Sequence, residues 1–197
     1  MGFRTTGRLR VGRGVILVRH AMPQMRPGVA SGFWTLGESA KEDCVLLAHA
    51  LPKGIAPVIW SSPEPKAAET ASIVALRRGF RVVTDARLSE VDRPATWEDD
   101  YRATVKRYLT NGGEPGWEPP EAVQARCTAA VDDALNRPWE GEVVISSHGI
   151  ALSLYAASVA TVRLPQFWDQ LTFPDAWRVE MGERSIERIY FGGLPPA

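Results

Sequence analysis

Histidine and cysteine are scarce in this 197-residue chain, with three of the first and two of the second. Cys44 and Cys127 lie far apart without metal-ligand spacing, and each falls on the apolar stripe of a predicted helix, so both read as reduced core thiols. Charge of either sign is not in excess. The 23 basic and 23 acidic residues cancel, so no bulk charge draws the chain to nucleic acid or an anionic membrane, and any anion site must be a local cluster. No apolar run approaches a membrane span. The first 14 residues carry Arg4, Arg8, Arg10 and Arg13 but lack the apolar stretch of a secretory signal; they read as a flexible basic tail, and a cytoplasmic location is expected. Also missing are the G-x-S-x-G elbow, the G-x-x-x-x-G-K phosphate loop and the G-x-G-x-x-G dinucleotide turn. No internal repeat, low-complexity tract or linker divides the chain, so residues 1–197 are expected to form one domain.

What is present is a strand with an unusual end. Val15-Ile16-Leu17-Val18 is a continuous apolar run, read as a strand buried on both faces, and it stops at Arg19-His20. Val143-Val144-Ile145-Ser146-Ser147-His148-Gly149 repeats the design. Two of three histidines thus stand at the carboxyl ends of hydrophobic strands, the rim where open α/β sheets bind ligands.

The elements between alternate. A helix is expected from about Leu36 to Leu51, with capping-box spacing between Thr35 and Glu38 and a stripe of Leu36, Ala40, Cys44, Leu47 and Leu51; His49 falls on the outer face. Pro57–Trp60 reads as a second strand. Ser62 is expected to cap a helix with Pro63 at its first position, carrying Ala67, Ala71, Val74 and Ala75 inward and ending near Gly79. A short strand at Arg81–Thr84, a helix from Thr96 to Leu109 and another opened by Pro119 and Pro120 follow, and the second histidine leads a helix from Gly149 to Ala160. Residues 176–180 and 185–190 alternate around Gly182 like an antiparallel hairpin. The expected class is α/β, a three-layer α/β/α sandwich with a mainly parallel central sheet.

Few chemistries want this residue set. Zinc accepts two histidines and a carboxylate but not Arg19 beside His20, and a Ser-His-Asp triad lacks its elbow here. Phosphoryl transfer to histidine fits better. A phosphoryl group spreads negative charge over three oxygens and needs cations and donors around it; Arg offers a planar fork, and a neighbouring cation keeps the nucleophilic imidazole neutral.

Leu17-Val18-Arg19-His20, then Ser61-Ser62-Pro63 with Ala67 and Thr70-Ala71, then Leu88-Ser89-Glu90, then Ser147-His148-Gly149 resembles the histidine phosphatase superfamily, the phosphoglycerate mutase-like group. The four motifs stand in family order across roughly 15–150. The resemblance implies the phosphoglycerate mutase-like fold, His20 as the phosphorylated nucleophile, Arg19 as a phosphate ligand, His148 as the second phosphate-pocket histidine and Glu90 as the acid that protonates the leaving group and later activates water. No metal and no cofactor is implied. Two departures stand out. Ala21 replaces the usual Gly after the first His, and Lys66 occupies the place of the family's second phosphate-binding Arg, keeping the charge but losing the fork. The mutase branch continues its first motif with a polar stretch ending in Trp-Asn, where this chain has Met22-Pro23-Gln24-Met25-Arg26.

The expected function is therefore hydrolysis of phosphate monoesters, on a small phosphorylated substrate or a phosphoprotein, with neither nucleic acid nor membrane as partner. A mutase-type phosphoryl transferase and a non-catalytic phosphate-binding module remain the alternatives. The plain readings are a satisfied strand-end histidine for His20, a solvated lysine for Lys66, and a surface carboxylate for Glu90, which has Asp92, Glu98, Asp99 and Asp100 near it. Trp97, Tyr101, Tyr108 and Trp117 read as packing residues, placed where a lid would also lie.

Overall fold

In the computed structural model, residues 14–95 and 100–193 are described. The strands are β1 (Val15–Arg19), β2 (Ile55–Ser61), β3 (Arg81–Thr84), β4 (Glu142–Ser147), β5 (Asp175–Glu180) and β6 (Ser185–Phe191). They form one sheet in the order β3-β2-β4-β1-β5-β6. The first four run parallel; β5 pairs antiparallel with β1, and β6 antiparallel with β5, giving the expected hairpin on one side. The helices are α1 (Ala40–Ala50), α2 (Pro65–Arg78), α3 (Tyr101–Asn111), α4 (Pro120–Leu135), α5 (Gly149–Val159) and α6 (Leu164–Asp169).

Period-two alternation explains why β1 is buried along its whole length. Val15 and Leu17 face the core built with α3, α4, α5 and α6, whereas Ile16 and Val18 face Leu47, Ala71 and Val74 of α1 and α2. The result is the three-layer α/β sandwich with a mainly parallel sheet. Each fully buried Ile or Leu contributes roughly 1.5–3 kcal/mol, and both helix layers draw on this same strand. No helix among the described residues is long and apolar enough to cross a membrane.

Two helix starts differ from expectation. Helix α1 begins at Ala40, not near Leu36, because the preceding residues spend their backbone bonds elsewhere. Leu36 bridges to Pro23 and its N–H donates to Glu69 Oε2 at 2.9 Å, while the Gly37 N–H reaches the Met22 carbonyl at 3.0 Å. The Thr35–Glu38 capping box is therefore not made; Ser39 stands at the N-cap without a side-chain bond. Helix α2 begins at Pro65 with Glu64 as its extended N-cap residue. Pro65 disfavours the helical region at the residue before it, so the helix cannot start at Pro63. Ser62 Oγ still accepts the Glu64 N–H, at 3.1 Å. The expected helix at 96–109 appears as α3; residues 96–99, with Trp97, Glu98 and Asp99, lie outside the described residues, as do residues 1–13 of the expected tail.

Candidate active site

Three adjacent parallel strands, β1, β4 and β2, deliver their carboxyl ends to one place. Arg19 is the register partner of Ser147, the His20 N–H donates to the Ser147 carbonyl at 3.1 Å, and the Ser62 N–H donates to Ser146 at 2.9 Å. These backbone bonds bring His20, Ser62 and His148 together at the sheet's rim. The His20 and His148 ring centroids are 5.2 Å apart, inclined at 61°.

The His20 ring is held in one tautomer. Its Nδ1 lies 2.7 Å from the Ala21 carbonyl oxygen. A carbonyl only accepts, so Nδ1 carries the hydrogen and Nε2 keeps its lone pair. Ala21 is fixed in turn: its N–H donates to Thr70 Oγ1 at 3.0 Å, and that hydroxyl donates to the Lys66 carbonyl at 2.7 Å. Burial holds the His20 pKa well below the ordinary imidazole value, helped by the charges of Lys66 and Arg19 and opposed by the Ala21 bond. The ring is neutral at physiological pH.

Arg19 is 7% exposed, its guanidinium 3.6 Å from the Phe173 ring centroid and its Nη1 bonded to the Leu171 carbonyl at 3.0 Å. Its Nε is buried without a partner among the described residues. Desolvation lowers the Arg19 pKa to about 10, still fully cationic near neutrality. Gly149 makes room for it: a Cβ there would stand 3.3 Å from both Cζ and Nε of Arg19 and 3.0 Å from Trp168 Nε1.

His148 is fully buried, with Nε2 2.8 Å from Ser62 Oγ and Nδ1 without a partner among the described residues. Ser62 Oγ accepts the Glu64 N–H and keeps its own O–H to donate, so the contact with His148 Nε2 is satisfied by either tautomer of the ring. Desolvation first, then the Lys66 charge, keeps this ring neutral as well.

Glu90 lies against the N-terminus of α5. Its Oε2 accepts the Ile150 N–H at 3.1 Å, and its Oε1 accepts the N–H groups of Ala151 at 3.0 Å and Val91 at 3.1 Å. Desolvation and then the Glu64 carboxylate raise its pKa above the ordinary carboxyl range, while those backbone bonds pull it down. Asp92 and Asp100 are exposed, and Asp100 caps α3 through the Ala103 N–H at 3.1 Å, so neither competes with Glu90 for the pocket.

Lys66 is 5% exposed, not a solvated lysine. Its Nζ donates to Ser31 O at 2.7 Å and to Glu64 Oε2 at 2.5 Å. The residues read from sequence, His20, His148, Glu90, Arg19 and Lys66, are thus brought together at the carboxyl rim of the sheet. His49 is exposed, as expected. Tyr108 and Trp117 are core; Tyr101 and Trp117 carry Arg93, whose Cζ is 4.7 Å and 5.3 Å from their ring centroids and whose Nη2 donates to Ser31 Oγ at 3.1 Å. Among the described residues no group of three His, Cys, Asp or Glu side chains is placed to hold a metal ion.

Two residues escaped the sequence reading. Glu64 puts its Oε1 2.7 Å from the Glu90 N–H and 3.4 Å from His148 Nε2; the acid two places before Lys66, between prolines, was the signal available. Arg126 holds the segment that carries Glu90 from α4, and nothing local in the sequence announces it.

The chain is 27% identical over 168 residues to phosphoserine phosphatase 1 of Hydrogenobacter thermophilus, covering 78% of this chain and 79% of that one. It is 27% identical over 137 residues to the probable phosphoglycerate mutase GpmB of an Enterobacter species, covering 64% and 60%. Among solved structures, the mycobacterial glucosyl-3-phosphoglycerate phosphatase complexed with VO3 superposes with a TM-score of 0.67 at 18% identity over 92% of this chain and all of that one. YhfR of Bacillus stearothermophilus gives 0.69 at 22% identity, over 92% and 98%. Residues 15–180 match the histidine phosphatase superfamily (branch 1), a span that takes in all four motifs and both strand-end histidines, and the chain belongs to that superfamily.

Proposed function

We propose that the protein is a phosphatase that hydrolyses phosphate monoesters through a phosphohistidine on His20. The observation that carries this is the His20 ring itself: neutral, with Nδ1 tied to the Ala21 carbonyl and Nε2 bare, between the cations Arg19 and Lys66. In the first half-reaction Nε2 forms the P–N bond as the P–O bond to the leaving group breaks, and the departing oxygen takes the Glu90 proton. In the second, Glu90 as carboxylate removes a proton from water, the water oxygen bonds to phosphorus, the P–N bond breaks, and orthophosphate leaves. Arg19 Nε, the Lys66 ammonium and the His148 imidazole meet the charge on the phosphoryl oxygens, and the amino end of α5 beside them adds its dipole. No step calls for a metal.

The substrate is a phosphorylated small molecule. A relative named phosphoserine phosphatase supports this class. A panel of phosphorylated metabolites, phosphopeptides among them, assayed for phosphate release tests the reading: turnover on metabolite esters is expected, and phosphoryl transfer to an organic acceptor without phosphate release would make the protein a mutase instead.

A further inference from the structure

The Lys66 position poses a physical problem. An ammonium is a compact point charge on a flexible stem, with three donors that can turn in any direction, whereas a guanidinium arrives with its fork already oriented. Left alone, Lys66 would neutralise a phosphoryl oxygen but not orient it. The structure holds it instead. Ser31 O takes one N–H at 2.7 Å and Glu64 Oε2 takes another at 2.5 Å, with both side chains largely buried, 6% exposed for Lys66 and 15% for Glu64. The same Glu64 carboxylate reaches 3.4 Å from His148 Nε2 with its other oxygen, so Lys66 and His148 are joined through one group. Its position is set by the chain: Pro63 and Pro65 flank it, Pro65 keeps it extended at the N-cap, and its own N–H is tied to Ser62 Oγ.

We infer that Glu64 is a positioning residue, which together with the Ser31 carbonyl takes two of the three Lys66 N–H bonds and aims the third at the phosphoryl group. The pair Glu64–Lys66 then does the orienting work that one guanidinium does through its fork. The charge of Lys66 reaching both His20 and His148 agrees with that aim. The arrangement has a cost built in, because Glu64 is also an anion beside the phosphate. It weakens ground-state binding of the dianion while improving its orientation, so its removal separates KM from kcat.

The kinetic arm of this inference rests on the phosphatase reading; a second arm does not. The chain has only four lysines, so the 15N-labelled side-chain ammonium of Lys66 is resolvable by NMR and assignable by its loss in Lys66→Ala. The Lys66 signal is expected to be sharp and slowly exchanging in the wild type and broadened beyond detection in Glu64→Gln, an isosteric change that keeps the fold. On p-nitrophenyl phosphate, Glu64→Gln should lower kcat about tenfold to a hundredfold, the scale of a misplaced group. It should also tighten inorganic phosphate binding about tenfold, through loss of one like charge at close range. In a Lys66→Ala background the same change should lower kcat much less, since the part of the Glu64 effect that runs through Lys66 is then absent and only its contacts with Glu90 and His148 remain. A Lys66 ammonium signal unchanged in Glu64→Gln overturns the inference. So does a kcat loss of the same size with and without Lys66. A wild type that turns over nothing while its Lys66 signal still depends on Glu64 would sink the phosphatase reading and leave the positioning intact.

Discussion

Arg126 holds the backbone of Glu90. Its Nη2 donates to the Glu90 carbonyl at 3.0 Å, its Nη1 to the carbonyls of Arg87 and Ser89 at 2.8 and 2.7 Å, and Glu118 grips the other edge of the guanidinium at 2.8 Å through each oxygen. The segment bearing Glu90 is therefore fastened to α4, chiefly by Arg126, with Cys127 Sγ 3.5 Å from the Arg87 carbonyl and Asp133 Oδ2 2.8 Å from Arg87 Nη2 beside it. Arg126→Met leaves three carbonyls and a half-buried carboxylate without this donor, and should destabilise the fold by about 2–4 kcal/mol. It should also lower kcat on alkyl phosphates more than on aryl phosphates, because a shifted Glu90 serves poorer leaving groups worst. Urea unfolding and the alkyl-to-aryl rate ratio check both parts.

Glu90 itself should show this discrimination in full. Glu90→Gln is expected to cost about 10²–10⁴-fold on alkyl esters and far less on aryl esters. In the wild type, alkyl-ester turnover should hold at low pH and fall as pH rises through the raised Glu90 pKa, since the acid form is the one that donates. That limb is set by burial and then the Glu64 carboxylate, which raise the Glu90 pKa, against the N–H groups of Ile150, Ala151 and Val91, which lower it. A pH profile of kcat for the two ester types reads it, and equal losses in Glu90→Gln would point to another acid.

The two histidines make a prediction about stability. Both have folded-state pKa values well below 6.5, so the unfolded chain takes up protons below that pH while the folded chain does not. Stability is therefore full above 6.5 and is lost as pH falls toward the folded values, by about 1.4 kcal/mol per pH unit for each ring. Denaturation between pH 7 and 5 should show a shallower slope in His148→Asn than in the wild type. Parallel slopes would mean that His148 is charged in the fold.

The strand ends were more legible in the sequence than the residues that hold them in place. Strand ends were legible because a double-faced apolar run ending in a polar pair has few readings, and Lys66 was singled out only because the family resemblance puts the second phosphate-binding Arg at its position. The helix starts were less so. Thr35 and Glu38 have the spacing of a cap, but the bonds from Leu36 to Glu69 and from Gly37 to Met22 are tertiary, and no local pattern reveals them. Placing Pro63 rather than Pro65 at the head of α2 buried Glu64 in a first turn and hid its role. Arg126 was illegible for the same reason: a side chain on α4 meets the 87–90 segment only once the helix has packed on the sheet.

Chelation offers a simple check on the chemistry. Arg19, Lys66 and the α5 amino end supply the positive charge that a metal would otherwise bring, so EDTA should leave kcat/KM unchanged and added magnesium or zinc should not raise it. Loss of turnover with chelator, restored by metal, contradicts the scheme.

The most direct test asks where the phosphoryl group goes. Rapid quenching of the enzyme during turnover of a 32P-labelled ester, followed by digestion at alkaline pH, should yield an acid-labile, base-stable phosphoryl label on the peptide containing His20. The label and the turnover should both vanish in a folded His20→Ala variant. Label on a different residue, or a folded His20→Ala variant with wild-type-like turnover, would contradict the assignment of His20 as the nucleophile.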